Sequence, residues 1–285
     1  MDYNLEINNL EKKYHNFTLK DINITVPKGK IVGFIGENGS GKTTTTKAIF
    51  DTISIDSGSI KIFGKSHKKL TKKDKENIGV VLDDSFFSHV LNVDDINNLM
   101  KRFYTTWDED LYYQYVKEFN IPTDIILKNF SSGMKMKIKV VCAICHKPKL
   151  LILDEPTNGL DPVIRYELLQ IFEKFVQNGE NSIFISSHIT SDLEHIADEI
   201  IFIDNGHILL DMEKKELFDK YGIIECSNDE FNKIDKKYYD KCIKYKDEYM
   251  LLIDDKKSFS KQYSKMEIKK PSIEELMLLF IKGDK

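Results

Sequence analysis

The sequence predicts a three-layer α/β fold with a small α/β extension at its C-terminus. Short apolar runs such as KLLIL and NSIFIS are typical of parallel strands that are covered on both faces. Helical segments such as PVIRYELLQIFEKFV alternate with these runs, and this alternation favours a sheet between two outer layers. From about residue 213 the chain becomes rich in Lys, Asp and Tyr, and we interpret residues 213–285 as an appended α/β subdomain.

The elements before and after these runs follow from their periodicity. The segments LEINNL, FTLKDINITV, KIVGFIG, GSIKIFG and NIGVVL are predicted strands, and EIIFIDNGHILLD is typical of a hairpin. Residues 84–129 are helical in pattern and rich in aromatic residues, around LMKRFYTTWDEDLYYQYVKEF. The first part of the chain, up to about residue 83, is therefore predicted to be mainly strands, followed by a helical region.

Composition and charge limit what the protein does. With 285 residues, 41% of them hydrophobic, the chain is long enough for a sizeable core. Its net charge of −4 offers no basic field, so no nucleic-acid partner is expected. The N-terminus lacks the apolar stretch of a signal peptide, and no apolar run approaches the roughly 20 residues that span a bilayer. These features predict a cytoplasmic protein.

Residues 142–146 read CAICH, which matches the attachment pattern of a c-type haem. They end a predicted helix that Ser131 or Ser132 caps and that Pro148 follows. One stripe of this helix collects apolar residues, namely Met134, Ile138, Val141, Cys142 and Cys145. Because cysteine on such a stripe behaves as a small hydrophobe, we predict that both cysteines belong to the core and that no haem is bound.

The segment GENGSGKT, residues 36–43, matches G-x-x-x-x-G-K-[ST] between a predicted strand and a helix. The glycines of such a loop let backbone N–H groups surround phosphates, and the next helix points its positive end at them. Lys42 would supply charge to the β- and γ-phosphates, and Thr43 a hydroxyl to Mg²⁺. The loop predicts ATP and Mg²⁺ as ligands, held by Gly36, Asn38, Gly39, Ser40, Gly41, Lys42, Thr43 and Thr44.

Polar residues also end two other predicted strands, at the sheet edge where ligands of open α/β sheets gather. Asp154 is a candidate Mg²⁺ ligand, and Glu155 is a candidate base that activates the attacking water. His188 is expected to reach the γ-phosphate, although a lone histidine at a strand end is more often a satisfied polar residue. The predicted catalytic residues are therefore Lys42, Glu155 and His188.

The segment GENGSGKT is a P-loop. The chain resembles the ABC-transporter ATPase family over about residues 3–210, because this P-loop is followed by FSSGM, LLILDEPTNGLD and SSH in the order and spacing of that family. The resemblance implies a P-loop ABC ATPase core within residues 1–212. This core would contain an N-terminal antiparallel β part and a helical subdomain at about residues 84–146. Two such chains, as a homodimer, would hold two ATP molecules head to tail.

The resemblance also assigns binding residues beyond the P-loop. It implies that Tyr14 stacks on adenine, a contact worth about 1–3 kcal/mol by analogy with base stacking. It implies that Ser131 and Gly133 contact the γ-phosphate bound to the opposite protomer. Asp161 matches the aspartate of the loop that runs between the two sites.

The chain departs from the family pattern in two places. The usual signature LSGGQ is replaced by FSSGM, and a serine at the first glycine position is expected to crowd the approach of the backbone. The usual glutamine after the strand NIGVVL is replaced by Asp83, followed by Asp84. Because a carboxylate is a stronger oxygen ligand than an amide, we predict that Asp83 binds Mg²⁺ directly or through water. The alternative is an exposed loop acid without a role.

These variations, with the FYTTWDEDLY segment, resemble ABC-2 type exporters such as bacitracin-resistance or phenol-soluble-modulin exporters. They imply an ATP-hydrolysing subunit that powers efflux, of peptides or antimicrobials, through a separate permease at the cytoplasmic face of the cell membrane. The aromatic residues Phe86, Phe87 and Trp107 are candidates for the groove that receives a permease helix, with core packing as the alternative.

Three other functions fit parts of the pattern. A soluble ABC ATPase acting on ribosomes or nucleic acid usually carries two cassettes or a coiled-coil insertion, and this chain has neither. An importer subunit is kept as an alternative, since the sequence does not specify the direction of transport. A non-hydrolysing partner is disfavoured because Lys42, Asp154, Glu155 and His188 are all present.

Overall fold

The computed structural model describes residues 2–82 and 87–284, which contain thirteen strands, eleven α-helices and three 3₁₀ turns. The strands are β1 (Tyr3–Lys13), β2 (Thr18–Pro27), β3 (Ile31–Ile35), β4 (Ser57–Ile62), β5 (Lys65–Ser66), β6 (Ile78–Val81), β7 (Leu150–Asp154), β8 (Ser182–Ser187), β9 (Glu199–Asp204), β10 (His207–Glu213), β11 (Gly222–Ser227), β12 (Lys241–Tyr245) and β13 (Glu248–Ile253). The helices are α1 (Lys42–Ile49), α2 (Lys72–Lys75), α3 (Val93–Phe103), α4 (Glu109–Glu118), α5 (Ser132–Cys145), α6 (Pro162–Val176), α7 (Thr190–Ile196), α8 (Lys214–Lys220), α9 (Asn228–Phe231), α10 (Lys256–Gln262) and α11 (Ile273–Lys282). The 3₁₀ turns span His67–Lys69, Leu127–Asn129 and Lys236–Tyr238.

A six-stranded sheet with the order β10-β9-β3-β8-β7-β6 forms the centre of the fold. Its strands are parallel from β9 to β6, and β10 pairs antiparallel with β9 as the predicted hairpin requires. A four-stranded antiparallel sheet, β2-β1-β4-β5, forms the predicted N-terminal β part. The predicted α/β fold class is confirmed.

The two faces of the central sheet are covered by different layers. Along β3, Ile31 and Ile35 face a core that includes the apolar residues of α5 and α6. Val32 and Phe34 face the opposite core, which the N-terminal sheet and α1 complete. Successive strand residues point to opposite faces, so both faces are apolar, as the continuous apolar runs predicted. One outer layer, however, is mostly an antiparallel sheet rather than helices.

The predicted helical region is divided by a break at residues 104–108. Helix α3 ends before Tyr104, and α4 begins after Asp108, whose carboxylate accepts a hydrogen bond from the backbone N–H of Leu111 at 2.9 Å. Between them, the Thr106 hydroxyl donates to the carbonyl of His146 at 2.6 Å. The break therefore satisfies a carbonyl at the end of α5, which has no partner within its own helix.

Helix α5 begins as predicted, with Ser131 as its N-cap. The Ser131 hydroxyl accepts a hydrogen bond from the Met134 N–H at 3.2 Å. Cys142 and Cys145 are 3% and 0% exposed, so the prediction that they belong to the core is confirmed. Burial raises the pKa of both thiols.

The C-terminal region shares its core with the rest of the chain. Strands β11, β13 and β12 form an antiparallel sheet that packs a small core of its own around Phe259. Helix α11 instead buries Ile273, Leu276 and Leu279 in the main core, and Phe280 meets Phe202 of β9 edge-on. This mixed packing was not visible in the sequence.

Candidate active site

Three neighbouring parallel strands bring the predicted catalytic residues to one edge of the sheet. Strand β8 lies between β3 and β7 in the sheet. The P-loop follows β3, Asp154 ends β7, and His188 follows β8. Because the carboxyl ends of parallel strands meet at the same edge, residues that are far apart in the sequence become neighbours.

The turn from the P-loop into α1 depends on a glycine. Gly41 has a φ of 119° and precedes the first helical residue. A Cβ atom at Gly41 would lie 2.5 Å from a methyl carbon of Leu19 and 3.0 Å from the Phe17 ring. Neither this backbone angle nor the space accepts a side chain, so the loop can turn toward a phosphate only with glycine here. Asn38 and Gly39 are exposed, Gly36 and Ser40 are buried, and Thr43 and Thr44 lie in the first turn of α1.

Lys42 is buried inside the loop that it belongs to. Its Nζ atom donates to the carbonyl oxygens of Gly36 at 2.8 Å and Glu37 at 3.2 Å. The same atom lies 3.5 Å from Glu155 Oε1. A positive charge is thus held where the glycine-rich loop converges, which is the arrangement that binds phosphate.

Asp154 is 6% exposed, and burial raises the pKa of its carboxyl group. A hydrogen bond from the Ser186 hydroxyl acts in the opposite direction by stabilising the charged form, and the nearby Lys42 charge and Thr43 hydroxyl add to this effect. A buried carboxylate beside a threonine hydroxyl offers the hard oxygen ligands that Mg²⁺ prefers. Asp154 and Thr43 therefore fit the metal that the P-loop predicts.

Glu155 is fixed between Lys42 and His188. Its Oε2 atom lies 2.7 Å from His188 Nδ1 and accepts a hydrogen bond from the His188 backbone N–H at 3.2 Å. Its backbone has a φ of 51°, in the left-handed region that residues other than glycine rarely adopt. Its N–H donates to the Ser186 carbonyl at 3.0 Å, which holds this conformation. Strained backbone held in this way is common at functional sites.

Tyr14 lies in a loop beside the P-loop. Its side chain is 47% exposed, and Lys12 Nζ lies 5.5 Å from the centre of its ring. The Tyr14 N–H donates to the Phe17 carbonyl at 2.7 Å, and the Phe17 ring stands next to Gly41. The Tyr14 ring is therefore partly exposed on the loop that adjoins the P-loop.

The remaining predicted residues lie on α5 and α6. Gly133 is buried in the first turn of α5, where a Cβ atom would lie 2.3 Å from the Ile164 Cδ1 atom. Asp161 caps α6 by accepting from the N–H groups of Val163 and Ile164, both at 3.1 Å. Within residues 2–82 and 87–284, no hydrogen bond or ion pair joins Ser131, Gly133 or Asp161 to Lys42, Glu155 or His188.

Two of the predicted aromatic residues, Phe87 and Trp107, both pack against the main core, and only Phe87 also lines a groove. Phe87 lines a largely apolar groove of about 560 Å³, together with Phe50, Met100, Phe103, Tyr104 and His146. Trp107 does not line this groove. Its indole N–H donates to Asn97 at 2.8 Å and its ring packs on Tyr112, so core packing is the correct interpretation for Trp107. Asp83, Asp84 and Phe86 lie outside the described residues, and the metal-ligand role of Asp83 stays a prediction.

Sequence reasoning missed three residues around this site. Ser186 bonds to both Asp154 and Glu155, and its place in the motif SSH was a usable signal. Glu37 occupies a variable position of the P-loop and gave no signal. Lys282, whose Nζ lies 3.3 Å from Glu37 Oε1, comes from the end of the chain and could be found only in the structure.

The fold and the site together define a P-loop ATP-binding protein. The family model described as ABC transporter matches residues 19–158. The chain is 34% identical over 220 residues to the bacitracin transport ATP-binding protein BcrA of Enterococcus faecalis, which covers 76% of this chain and 71% of that protein. It is 38% identical over 212 residues to the lantibiotic transport ATP-binding protein SrtF of Streptococcus pyogenes, covering 73% of this chain and 90% of that protein.

A solved structure of an ATP-binding subunit of an ABC transporter matches with a TM-score of 0.68 and 26% identity, covering 75% of this chain and 92% of that one. The chain belongs to the family of ABC-transporter ATP-binding proteins. It is an ATPase of this family, and the predicted resemblance is confirmed. None of the helices in residues 2–82 and 87–284 is long and apolar enough to cross a membrane.

Proposed function

We propose that the protein is the ATP-hydrolysing subunit of an ABC exporter that moves peptides or antimicrobials through a separate permease. The observation that carries the hydrolytic part is the cluster of Lys42, Glu155 and His188 at one sheet edge. The bacitracin and lantibiotic relatives support the export of peptide-like compounds.

The residues of the site have separable roles in this proposal. Lys42 binds the β- and γ-phosphates, and the His188 ring contacts the γ-phosphate while it keeps Glu155 in place. The Glu155 carboxylate orients and deprotonates the attacking water. Asp154 and Thr43, with Asp83 as a further ligand, would hold Mg²⁺, which offsets phosphate charge when bound. Tyr14 stacks on the adenine.

A second copy completes the site in this proposal. Ser131 and Ser132 are exposed at the start of the long helix α5, and a helix N-terminus attracts phosphate. They bond to no member of the catalytic cluster in their own chain, which supports a role on the partner's nucleotide. Ser132 has an ordinary helical backbone, so the serine in FSSGM is accommodated within one chain.

A pair of variants tests this assignment in the purified protein. Lys42→Ala should remove tight Mg–ATP binding in titration calorimetry, because the phosphates lose a buried cation. Glu155→Gln should bind ATP and hydrolyse it about 10²–10⁴-fold more slowly, since it loses a general base. With ATP, Glu155→Gln should elute as a dimer in size-exclusion chromatography.

The control is Glu216→Gln, an exposed residue of α8 that should behave as the wild type in all three assays. Unchanged ATP affinity in Lys42→Ala would show that the phosphate site is wrongly placed. A Glu155→Gln protein that binds ATP and stays monomeric would contradict the head-to-tail dimer and would leave the assignment of the ATP site intact.

A further inference from the structure

The last helix of the chain reaches the phosphate-binding loop. Lys282, at the end of α11, places its Nζ atom 3.3 Å from Oε1 of Glu37, the second residue of the P-loop. Both side chains are partly exposed, at 59% and 47%. The C-terminal region thus contributes a cation directly beside the candidate nucleotide site.

Glu37 is not a passive position in this loop. Its carbonyl oxygen accepts hydrogen bonds from Lys42 Nζ at 3.2 Å and from the Ser40 N–H at 3.1 Å. Its carboxylate carries a negative charge beside a loop that is built to bind phosphates. An uncompensated carboxylate here would repel the triphosphate and lower affinity.

Helix α11 anchors the backbone that carries Lys282. Ile273, Leu276 and Leu279 are fully buried. The helix start is tied to α7, because the Ile273 N–H donates to the Glu194 carboxylate at 3.2 Å. Beyond the helix, Asp284 exchanges backbone hydrogen bonds of 2.8 and 2.9 Å with Cys242 of β12. The backbone that carries Lys282 is therefore anchored on both sides, which reduces the entropy lost when the ion pair forms.

We propose that Lys282 is a nucleotide-positioning residue, supplied by the C-terminal region, that neutralises Glu37 and keeps the P-loop favourable for ATP. The proposal rests on the assignment of residues 36–43 as the ATP site. It gives the C-terminal region a defined link to nucleotide binding. An ion pair this exposed is worth little, so the expected effect on affinity is about twofold to fivefold.

A double-mutant cycle measures this link. We expect Lys282→Ala to weaken binding of Mg²⁺ with the non-hydrolysable analogue AMP-PNP by about twofold to fivefold in titration calorimetry. In the Glu37→Gln background the same change should have a clearly smaller effect, because no carboxylate is left to neutralise. Lys282→Arg should keep the wild-type affinity for the analogue, because it keeps the positive charge. The difference between Lys282→Ala and wild type should shrink in high salt, which screens exposed charges.

The control is Lys270→Ala, which removes an exposed lysine of the same region that packs over the Phe218 ring. Steady-state kinetics should show a raised KM for ATP and an unchanged kcat in Lys282→Ala. Equal affinities of Lys282→Ala and wild type, or an equal loss in both backgrounds, would overturn the proposal. If the wild type itself fails to bind the analogue, the ATP site is misassigned, which is a different result.

Discussion

At Asp154 the fold places a carboxyl group where burial opposes its negative charge. Burial raises the pKa of this group, and the hydrogen bond from Ser186 offsets only part of the effect. A charged residue that destabilises its own fold is expected where the charge serves a ligand, because a bound cation removes the penalty. At Asp154, burial therefore opposes the charge that metal binding would require.

We therefore predict that Asp154→Asn makes the protein more stable and nearly inactive. Since the folded pKa lies above the unfolded value of 3.8, the wild type loses stability as pH rises from about 4 through the folded pKa. The variant lacks this loss, so its free energy of unfolding in urea should exceed that of the wild type at about pH 8 and match it near pH 3. Its ATPase rate should fall by about 10²-fold or more, because metal binding supplies several kcal/mol.

The matched control is Asp247→Asn, in the exposed turn before β13, which should change neither stability nor rate. Lower stability of Asp154→Asn at about pH 8 would show that the Ser186 hydrogen bond outweighs burial.

At the scale of elements, α5 explains the CAICH segment. Both cysteines are buried in the core, and His146 follows the helix. Its two ring nitrogens lie 3.1 Å from the Cys142 carbonyl and 3.2 Å from the Ile78 carbonyl, and its ring stacks on Tyr104. Each conspicuous residue of the segment thus has a packing role, which supports the prediction that no haem is bound.

Helix α11 is the element whose role the sequence least revealed. We predict that a chain ending at Pro271, without α11, loses several kcal/mol of stability. Each of the three buried side chains Ile273, Leu276 and Leu279 contributes about 1.5–3 kcal/mol when it is fully buried. Urea unfolding should show one transition in the full chain and a lower midpoint in the shortened one.

The control is the full-length variant Glu274→Gln, on the exposed face of α11, which should unfold like the wild type. A shortened chain with an unchanged midpoint would contradict the stabilising role of α11.

At the scale of the whole molecule, the apolar groove lies between the end of α1 and helix α3. Phe50 follows the last residue of α1, while Met100 and Phe103 belong to α3. Phe103 is 60% exposed and adjoins Phe87 and Met100 in this largely apolar groove. Contiguous exposed apolar surface of this kind can mark a contact with a partner. We infer that this groove receives the cytoplasmic helix of the permease.

Where a gene for an integral-membrane protein adjoins this gene, we predict that co-expression of the two brings the protein into the membrane fraction. Phe103→Glu should weaken this recovery at least about tenfold, because a charge would be buried in an apolar contact. The ATPase rate of the isolated Phe103→Glu protein should stay at the wild-type level. Val163→Glu, at an apolar position of α6 that is 68% exposed, is the control. Undiminished recovery of Phe103→Glu would exclude the groove as the docking site.

The sequence by itself predicted the strands β1 to β4 and β6 to β10, the P-loop, the acids at the end of β7 and His188, because each depends on local periodicity or on a motif of fixed spacing. It also identified the family, and it placed Cys142 and Cys145 correctly through the helical stripe. It did not reveal the break at residues 104–108, because helix propensity is local and the carbonyl that Thr106 satisfies lies at the distant end of α5.

Only the tertiary structure decided which residues far apart in the chain meet. It separated Phe87, which lines the groove, from Trp107, which bonds to Asn97 inside the helical region. It also brought Lys282 to Glu37. The physical reason is that such contacts depend on how whole elements pack against the same core, and no local pattern of residues records that packing.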